Sequence, residues 1–586
     1  MKAITQTLSE IVSQAFATAG YDSSLGAVTA SDRLDLCQFQ CNGAFSAAKL
    51  YHKAPFVVAE EVAQILREVR AFSKVEVAKP GFINLTLDDR YLLEQTAAIA
   101  RDPHLGIPQT QNPAKIILDY GGPNIAKPLH IGHLRSAIIG ESLKRILRAA
   151  GHTVIGDIHL GDWGLQIGLV ITELQERYPH WRCFSPDFDP DTESVQPLEA
   201  AELNEVYPLA SKKSKTDPDY AQKAHQATYE LQNGRPGYLA LWREILRASV
   251  ADMKSNYEKL GVTFDLWYGE SDADRYVPQL MEILSEKNLL IESDGALVVD
   301  VAEPQDKAPM PPVIVRKSDH SSIYATTDLA TIIQREKDFH PDKIWYVVDN
   351  RQELHFTQVF RCAKKAGLIP PETEFAFLGF GTMNGADGKP YKTRDGGIMK
   401  LEDMIATVTK GAQEKLEASS FVNESDYDEM ARRVGVAAIK FGDLINQRAK
   451  DYIFDLNKFF SFEGKTGTYL LYTVTRINSI LKKAGAPREQ TAPISHVYTD
   501  SERDLLLKLA MGGDVFQKAL EEKAPNYLCE HAYQLAIAFS KFYHDNRIID
   551  EPDPEKKQNW LSLIALVRQV LCQLLDLLGI EPVEHM

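Results

Sequence analysis

Residues 115–157 read KIILDYGGPNIAKPLHIGHLRSAIIGESLKRILRAAGHTVIGD, and this stretch decides the fold of the core. The apolar run KIILDY has strand length, and helical spacing of apolar residues follows from Leu134 to Ala150. Gly151 predicts a left-handed end to that helix, and the apolar run TVIGDIHL comes next. A strand, a helix and a strand in this order predict two parallel strands joined by a crossover helix.

Four further apolar runs (ALVVDV, PVIVRK, KIWYVVD and FAFLGF) extend the alternation of strands and helices. They predict a doubly wound parallel sheet over residues 113–400, with a polar insertion at about 182–236. Residues 1–112 predict a small α+β domain, in which residues 81–87 alternate as a half-buried strand does. Beyond residue 400 the strand pattern ends. We expect a connecting helical segment over 401–460 and an all-helical bundle over 461–586.

The composition favours a globular intracellular protein. Of the 586 residues, 44% are apolar and 25% are charged, and the net charge is 65 − 81 = −16. A uniformly basic, chromatin-coating protein is excluded, whereas binding of a folded nucleic acid through local basic patches is not.

The cysteines and the apolar segments bear on the compartment. Six scattered cysteines exclude a secreted disulfide framework, and no second Cys/His pair near Cys37 and Cys41 would complete a zinc site. The N-terminus has no continuous apolar signal segment. The apolar stretch LSLIALVRQVLCQLLDLLGI carries Arg568 and Asp576, which favour a bundle helix over a membrane span. We expect a cytoplasmic protein without a membrane partner.

The turn between the first strand and the first helix carries His130, Gly132 and His133. At the carboxyl edge of a parallel sheet, a helix N-terminus offers free N–H groups to a phosphate chain. A glycine lets a nucleotide approach the backbone, and two imidazoles can donate hydrogen bonds to phosphate oxygens as charge develops. The alternatives are a histidine pair that only caps the helix, or a metal site. No further ligands of suitable type lie nearby in the sequence, so we expect no bound metal.

His-Ile-Gly-His is the signature of class I aminoacyl-tRNA synthetases, and PNIAKPLHIGHLRSAIIGE resembles its form in the arginyl-tRNA synthetase family. The segments GDIHLGDWGLQIG, FDLWYGES and LLDLLGIEPVEHM extend the resemblance over most of the chain. It implies a Rossmann-like catalytic core, a tRNA-contacting N-terminal domain and an all-α anticodon-binding bundle. It also implies a monomeric ligase that uses ATP with Mg²⁺ to convert L-arginine to arginyl-adenylate. The arginyl group then passes to the 3′ end of tRNA(Arg), with release of AMP and diphosphate.

The resemblance also implies an arginine-binding set. A planar guanidinium needs paired acceptors, and Glu270, Tyr324 and Asp328 would supply them. Asn124 and Gln352 would hold the α-amino and α-carboxyl groups. The alternative interpretations are a surface acid for Glu270, a helix N-cap for Asp328 and a turn residue for Gln352.

Class I synthetases have a second loop rich in Lys, Met and Ser, and residues 388–397, GKPYKTRDGG, resemble the degenerate arginyl form of it. Its cations would neutralise the triphosphate, and its glycines would act as hinges. An ordinary basic turn is the alternative. We favour Lys392 as the catalytic lysine, with Lys127 as a substitute charge. The predicted ATP-binding residues are His130, Gly132, His133, Met383 and Lys392, and the predicted catalytic residues are His130, His133, Lys392 and Lys127.

Three places could contact tRNA. Phe82 and Asn84 lie on one face of the predicted N-terminal strand, where a ring and an amide can grip an unpaired base. The basic run 432–452, which includes Arg448, suits a phosphate backbone, although such runs are often only solvated faces. By resemblance the C-terminal bundle binds the anticodon, but the sequence does not single out its base-reading residues.

Three other functions compete with an arginine-specific ligase. Cysteinyl-tRNA synthetase has a similar helical C-terminus but needs a zinc site, which the scattered cysteines do not favour. A tRNA-binding protein that has lost catalysis would not need to keep both histidines and both acids. A small-molecule nucleotidyltransferase shares the histidine turn but has no need of the two flanking domains.

Overall fold

A computed structural model describes residues 1–31, 33, 36–317, 324–385, 387–389, 391, 399–417, 427–461, 463–489 and 492–586. The N-terminal unit is an antiparallel sheet with helices packed on it. Its strands follow the order β1-β2-β4-β3. In β4, Ile83, Leu85 and Leu87 are buried while the alternate residues are half-buried, which confirms the predicted strand at residues 81–87. The elements are α1 Ile4–Thr18, β1 Val28–Ala30, β2 Phe39–Cys41, α2 Gly43–Tyr51, α3 Pro55–Leu66, β3 Phe72–Ala78, β4 Phe82–Leu87 and α4 Asp89–Arg101.

The central α/β unit contains a four-stranded parallel sheet of order β11-β10-β5-β6. Since β6 and β10 lie on opposite sides of β5, the chain changes direction between β5 and β10, and a ligand crevice forms at such a switch point. The helix α5 ends where Gly151 adopts a left-handed φ of +93°, as predicted. The elements are β5 Lys115–Tyr120, α5 Ile131–Ala149, β6 Thr153–Asp157, α6 Leu165–Arg177, α7 Ala200–Thr216, α8 Pro218–Gln232, α9 Pro236–Lys259, α10 Glu270–Asp274, α11 Val277–Glu286, α12 Tyr324–Phe339, β10 Lys343–Val347, α13 Glu353–Ala366 and β11 Glu374–Phe377.

Two predicted strands of the parallel sheet belong elsewhere. The runs ALVVDV and PVIVRK form β8 and β9, which join a separate antiparallel sheet with β7. Asp294 and Gly295 have positive φ angles of 50° and 77° and form the tight turn of the β7–β8 hairpin. The assignment of the runs ALVVDV and PVIVRK to the parallel sheet was therefore wrong, because a short apolar run does not reveal the direction of the strand that it pairs with. The strands are β7 Leu290–Ser293, β8 Ala296–Val299 and β9 Val313–Arg316.

The C-terminal part is helical, as the sequence predicted. One pair of two-residue strands, β12 and β13, joins its start to the central α/β unit. Its last helix is long and apolar enough to cross a membrane by length and composition alone. Most of that helix is buried inside the bundle, which confirms the predicted packed helix. The elements are β12 Met383–Asn384, α14 Leu401–Glu417, α15 Tyr427–Leu444, β13 Tyr452–Ile453, α16 Leu456–Phe459, α17 Gly467–Ala484, α18 Asp500–Ala510, α19 Gly512–Glu522, α20 Asn526–Asp545 and α21 Pro554–Leu577.

Candidate active site

The two histidines cap the N-terminus of α5, at the carboxyl end of β5. Nδ1 of His130 accepts a hydrogen bond from the Gly132 amide at 3.0 Å, and Nδ1 of His133 accepts one from the His130 amide at 3.1 Å. The ring centroids lie 4.0 Å apart. Both histidines therefore cap the helix, as the alternative interpretation held. The caps use only the Nδ1 atoms of the two rings.

Capping also sets the chemistry of both rings. A neutral imidazole whose Nδ1 accepts a hydrogen bond carries its proton on Nε2. Burial, the neighbouring His130 and the Lys127 ammonium lower the pKa of His133 to about 3. Burial and Lys127 lower the pKa of His130 as well. Near neutral pH both side chains are therefore uncharged Nε2–H donors, which suits phosphate oxygens without introducing a fixed charge.

Gly132 keeps the helix N-terminus open. It is exposed, and a Cβ at this position would lie 2.7 Å from Cε1 of His130. Any side chain would therefore displace the His130 ring and cover the amides of the first turn. The need for glycine is steric at this point of the loop.

Lys127 lies in the turn that precedes the histidines. The preceding residue, Ala126, has a positive φ of 59°, and its amide donates to Oγ of Ser249 on α9 at 3.0 Å. The Lys127 ammonium lies 4.5 Å from the centroid of the Tyr207 ring, which belongs to α7. The predicted insertion thus reaches the edge of this site.

Glu270 is a buried carboxylate at the start of α10. The segment before it runs parallel to the end of β6, and the amides of Leu160 and Glu270 donate to the carbonyls of Tyr268 and Leu160 at 2.7 and 3.0 Å. Burial raises the pKa of Glu270 to about 7; His159 opposes the rise, while Asp162 and Asp328 add to it. Glu270 is therefore not a surface acid, since it is buried with a second carboxylate within electrostatic reach.

Asp328 lies on the first turns of α12, and its Oδ2 is 2.6 Å from Nε2 of His355 on α13. Tyr324, the first residue of α12, is 62% exposed at the rim. The pKa of Tyr324 is raised by partial burial of the hydroxyl and by Glu270, Tyr207 and Asp328. Helix α12 thus carries the phenol and one carboxylate within electrostatic reach of the carboxylate of α10, and their role in binding arginine stays a prediction.

A buried ion triad fixes α12 against the sheet. Nη2 of Arg335 lies 2.5 Å from Oδ2 of Asp119 on β5 and 2.6 Å from Oδ2 of Asp157 on β6. All three side chains are almost wholly enclosed. The triad therefore fixes the position of α12, the helix that carries Tyr324 and Asp328, relative to β5 and β6.

Asn124 and Gln352 follow β5 and β10, the two strands at the switch point. Asn124 pairs with Gly161, and a Cβ at Gly161 would lie 2.0 Å from Oδ1 of Asn124. Gln352 is exposed, and its backbone N–H donates to the backbone carbonyl of Asp349 at 2.9 Å. Both amide side chains are therefore at the sheet edge that carries the histidines, although Gln352 is also the turn residue of the alternative interpretation.

Comparison with known proteins supplies the family. The catalytic-domain model of class I tRNA synthetases (R) matches residues 95–456, the arginyl tRNA synthetase N-terminal domain model matches 2–87, and the DALR anticodon-binding domain model matches 470–586. The arginine–tRNA ligases of Alkaliphilus oremlandii and Agathobacter rectalis are 49% and 46% identical to this chain, over 100% of each chain. The chain belongs to the arginyl-tRNA synthetase family.

The fold agrees with that assignment. The crystal structure of arginyl-tRNA synthetase from Plasmodium falciparum matches with a TM-score of 0.82 at 24% identity, over 100% of both chains. The Thermus thermophilus arginyl-tRNA synthetase matches with a TM-score of 0.79 at 23% identity, over 99% of this chain and 100% of that one. The predicted multidomain α/β architecture and the predicted family are confirmed.

The second loop of this family member lies partly outside the described residues, and Lys392 is among those not described. The chain on its C-terminal side returns to the histidines: the Leu401 amide donates to the Leu129 carbonyl at 2.8 Å, and the Ile131 amide donates to the Met399 carbonyl at 3.1 Å. Residues Met399 and Leu401, which follow the loop, therefore lie beside the N-terminus of α5. The prediction for Lys392 stays a prediction.

Met383, which was predicted to bind ATP, lies in β12 with its side chain in the interior. The Met383 side chain is buried in the core, and its carbonyl accepts a hydrogen bond from the Tyr391 amide at 3.1 Å. An ATP contact by Met383 stays a prediction.

Within the described part of the chain, no group of three or more His, Cys, Asp or Glu side chains could hold a metal ion.

Phe82 and Asn84 of the family's N-terminal domain share a face of β4. Nε2 of Gln40 donates to Oδ1 of Asn84 at 2.8 Å, and the rings of Phe45 and Phe82 meet edge to face at 4.9 Å. Asn84 also lines a groove of about 340 Å³ with Gln40 and Asn42. The groove is lined by amide groups, and Phe82 lies two residues from Asn84 on the same face of β4. Amides and an aromatic ring are the groups that a base-binding site uses.

Arg448 has a structural position that the sequence did not indicate. Its Nη1 donates to the Gly379 carbonyl at 2.5 Å, and its Nε donates to the Lys523 carbonyl at 3.3 Å. Lys440, in the same basic run, is fully buried, and its Nζ donates to the Gly579 carbonyl at 2.5 Å. The cations of the run 432–452 therefore do not all lie on the surface, and the buried Lys440 is paired with a carbonyl inside the fold. A tRNA contact by Arg448 stays a prediction.

Sequence reasoning missed the residues that support the predicted ones. His355 holds Asp328, Tyr207 holds Lys127, and Asp162 accepts hydrogen bonds from the amide and hydroxyl of Ser271 at 3.0 and 2.6 Å. His355 follows Gln352 by three residues and so carried a local signal. Tyr207 carried none, since it lies 80 residues from Lys127 in the chain.

Proposed function

We propose that the chain is an ATP-dependent arginine–tRNA ligase. The arginine carboxylate attacks the α-phosphorus of ATP, and the bond to the β-phosphate breaks to give arginyl-adenylate and diphosphate. A hydroxyl of the 3′-terminal ribose of tRNA(Arg) then attacks the arginyl carbonyl carbon and AMP leaves. The observation that carries the proposal is the pair of neutral Nε2–H donors on α5, at the sheet edge that also holds Glu270 and Asp328.

The histidines and the lysines have separate tasks in the first step. His130 and His133 donate from Nε2 to the phosphate oxygens as charge develops on them, and Gly132 leaves room for the chain of phosphates. Lys127 and Lys392 neutralise the triphosphate. Mg²⁺ arrives bound to ATP and supplies further charge neutralisation. Because the reacting groups are supplied by the substrates, the protein contributes position and electrostatic complementarity.

The acids give specificity for arginine. Glu270 and Asp328 accept the N–H groups of the guanidinium, and the Tyr324 hydroxyl closes the rim of that pocket. A lysine ammonium would leave acceptors of a buried site unpaired, which disfavours it. Asn124 and Gln352 hold the α-amino and α-carboxyl groups. His355 keeps Asp328 aimed through its 2.6 Å contact.

Three places on the chain suit tRNA. Asn84 in its groove, with Phe82 on the same face of β4, fits an unpaired base at the outer corner of tRNA, and Arg448 is a candidate phosphate contact. In the helical domain, a cavity of about 450 Å³ between α17 and α20 has Arg476 stacked on Tyr543 at 4.6 Å, with Arg547 on its wall. Cations beside an aromatic ring suit single-stranded bases. We place the anticodon there, and we expect a cytoplasmic monomer without a membrane partner.

The first test is ATP–diphosphate exchange with each of the twenty amino acids, with and without bulk tRNA. We expect exchange with arginine alone, and only when tRNA is present, as the family resemblance implies. Exchange with cysteine would favour cysteinyl-tRNA synthetase. The absence of any exchange with tRNA bound would favour a tRNA-binding protein that has lost catalysis.

A further inference from the structure

The insertion contributes an aromatic side chain to the edge of the active site. Tyr207 lies in the middle of α7, which packs against α6, α8 and α9. Tyr207 is partly buried and packs against a small apolar cluster that includes Leu169 and Ala210. Its helix and its side chain are therefore held by packing, while Lys127 lies over the ring face.

The Tyr207 ring is the partner that the structure gives to the Lys127 ammonium. The distance from Nζ to the ring centroid is 4.5 Å. No salt bridge of Lys127 with a carboxylate is present among the described residues. A ring face attracts an ammonium without neutralising its charge, so the cation remains available to an anionic ligand. A lysine side chain without such a partner would sample many rotamers.

The position of the ammonium matters to both histidines. Its charge lowers the pKa of His130 and contributes to the lowering at His133. Tyr207 also acts on the pKa of Tyr324 at the arginine side. Tyr207 is thus in contact with Lys127 and within electrostatic reach of Tyr324.

We propose that Tyr207 is a positioning residue that holds the Lys127 ammonium beside the two capping histidines, and that this contact is a task of the insertion at about 182–236. The inference rests on the proposed function, because it matters for catalysis only if Lys127 neutralises the triphosphate. Tyr207 itself touches no reacting atom. Its effect passes through the location of Lys127 when diphosphate departs.

The test compares variants that keep or remove the ring face. Tyr207→Phe keeps the face, whereas Tyr207→Leu removes it, and Tyr229→Leu removes a 62% exposed tyrosine from α8 of the same insertion. In arginine-dependent ATP–diphosphate exchange with saturating tRNA, we expect Tyr207→Leu to lower kcat about tenfold. The KM for ATP should change by less than about threefold, since the charge develops in the transition state. Tyr207→Phe and Tyr229→Leu should stay within about twofold of the wild type.

A double-mutant cycle with Lys127→Gln separates positioning from general damage. In the Lys127→Gln background we expect Tyr207→Leu to have little further effect on kcat. A full-speed Tyr207→Leu enzyme, or the same loss with and without Lys127, overturns the inference, and the second outcome also covers a variant that is merely misfolded. Wild-type exchange by Lys127→Gln alone would instead remove Lys127 from the proposed function.

Discussion

Glu270 is a predicted arginine-binding residue whose protonation changes near neutral pH. Its pKa of about 7 in the free protein reflects burial, with Asp162 and Asp328 raising it and His159 opposing them. A guanidinium binds the ionised form, so arginine binding must displace a proton below pH 7. We expect the Kd for arginine to rise as the pH falls from 7 toward 5, by up to about tenfold per unit, and to level off above pH 8.

The matched variant for this prediction is Glu270→Gln, which keeps the shape and removes the titrating group. Calorimetric titration with arginine across this range of pH measures the effect in both proteins, with tRNA present. We expect weaker binding by Glu270→Gln and a much flatter pH dependence. An identical slope in both proteins would show that another group takes up the proton.

His133 acts as a neutral donor, which predicts both the size and the pH dependence of its loss. We expect His133→Ala to lower kcat of the exchange reaction about 10²-fold, the scale of one lost oxyanion-type donor. The loss should be equal at pH 6 and pH 8, because a pKa of about 3 leaves the ring uncharged throughout. The exposed His225 gives the control variant His225→Ala. A full-speed His133→Ala enzyme would exclude this histidine from the mechanism.

At the scale of elements, the sequence predicted the units whose local signals are complete. The strand KIILDY, the helical spacing after it and Gly151 each indicate the same β5–α5–β6 unit, so its position and its N-terminal histidines followed directly. The runs of β8 and β9 carry no such chain of signals. Only pairing decides between a parallel and an antiparallel strand, and pairing is a property of the folded chain.

Buried polar contacts were the part of the site that the sequence could not supply. The sequence around Lys440 does not indicate that its ammonium is buried and hydrogen-bonded to the Gly579 carbonyl. This burial lowers the pKa of Lys440 to about 7. The Tyr207–Lys127 contact is similar, because it joins distant segments through the packing of α7. The sequence could predict which residues belong to the candidate site, whereas the partners that orient those residues depend on tertiary contacts.

The strand β4 supports a prediction at the element scale. Phe82 and Asn84 face the same side, and loss of a stacked base on an aromatic ring costs about 1–3 kcal/mol. We expect Asn84→Ala and Phe82→Leu to weaken tRNA binding several-fold in filter-binding measurements. The KM for ATP and for arginine at saturating tRNA should stay within about twofold. Thr18→Ala, an exposed change on α1, is the control, and equal tRNA affinity in all variants would contradict the placement.

At the scale of the whole molecule, α5 connects the two capping histidines to the C-terminal bundle. Its Ser142 hydroxyl donates to the Leu577 carbonyl at 2.9 Å, and Arg145 pairs with Asp576 at 2.5 Å, both at the end of α21. Arg503 of the bundle pairs with Asp89 of the N-terminal unit at 2.6 Å. The helical bundle therefore contacts both α5 and the N-terminal unit directly.

The most direct measurement is a crystal structure with bound tRNA, L-arginine and a non-hydrolysable ATP analogue. The account predicts phosphate oxygens within hydrogen-bond distance of Nε2 of His130 and His133, and a guanidinium between the carboxylates of Glu270 and Asp328. A triphosphate bound away from the N-terminus of α5, or a guanidinium that contacts neither acid, would contradict it.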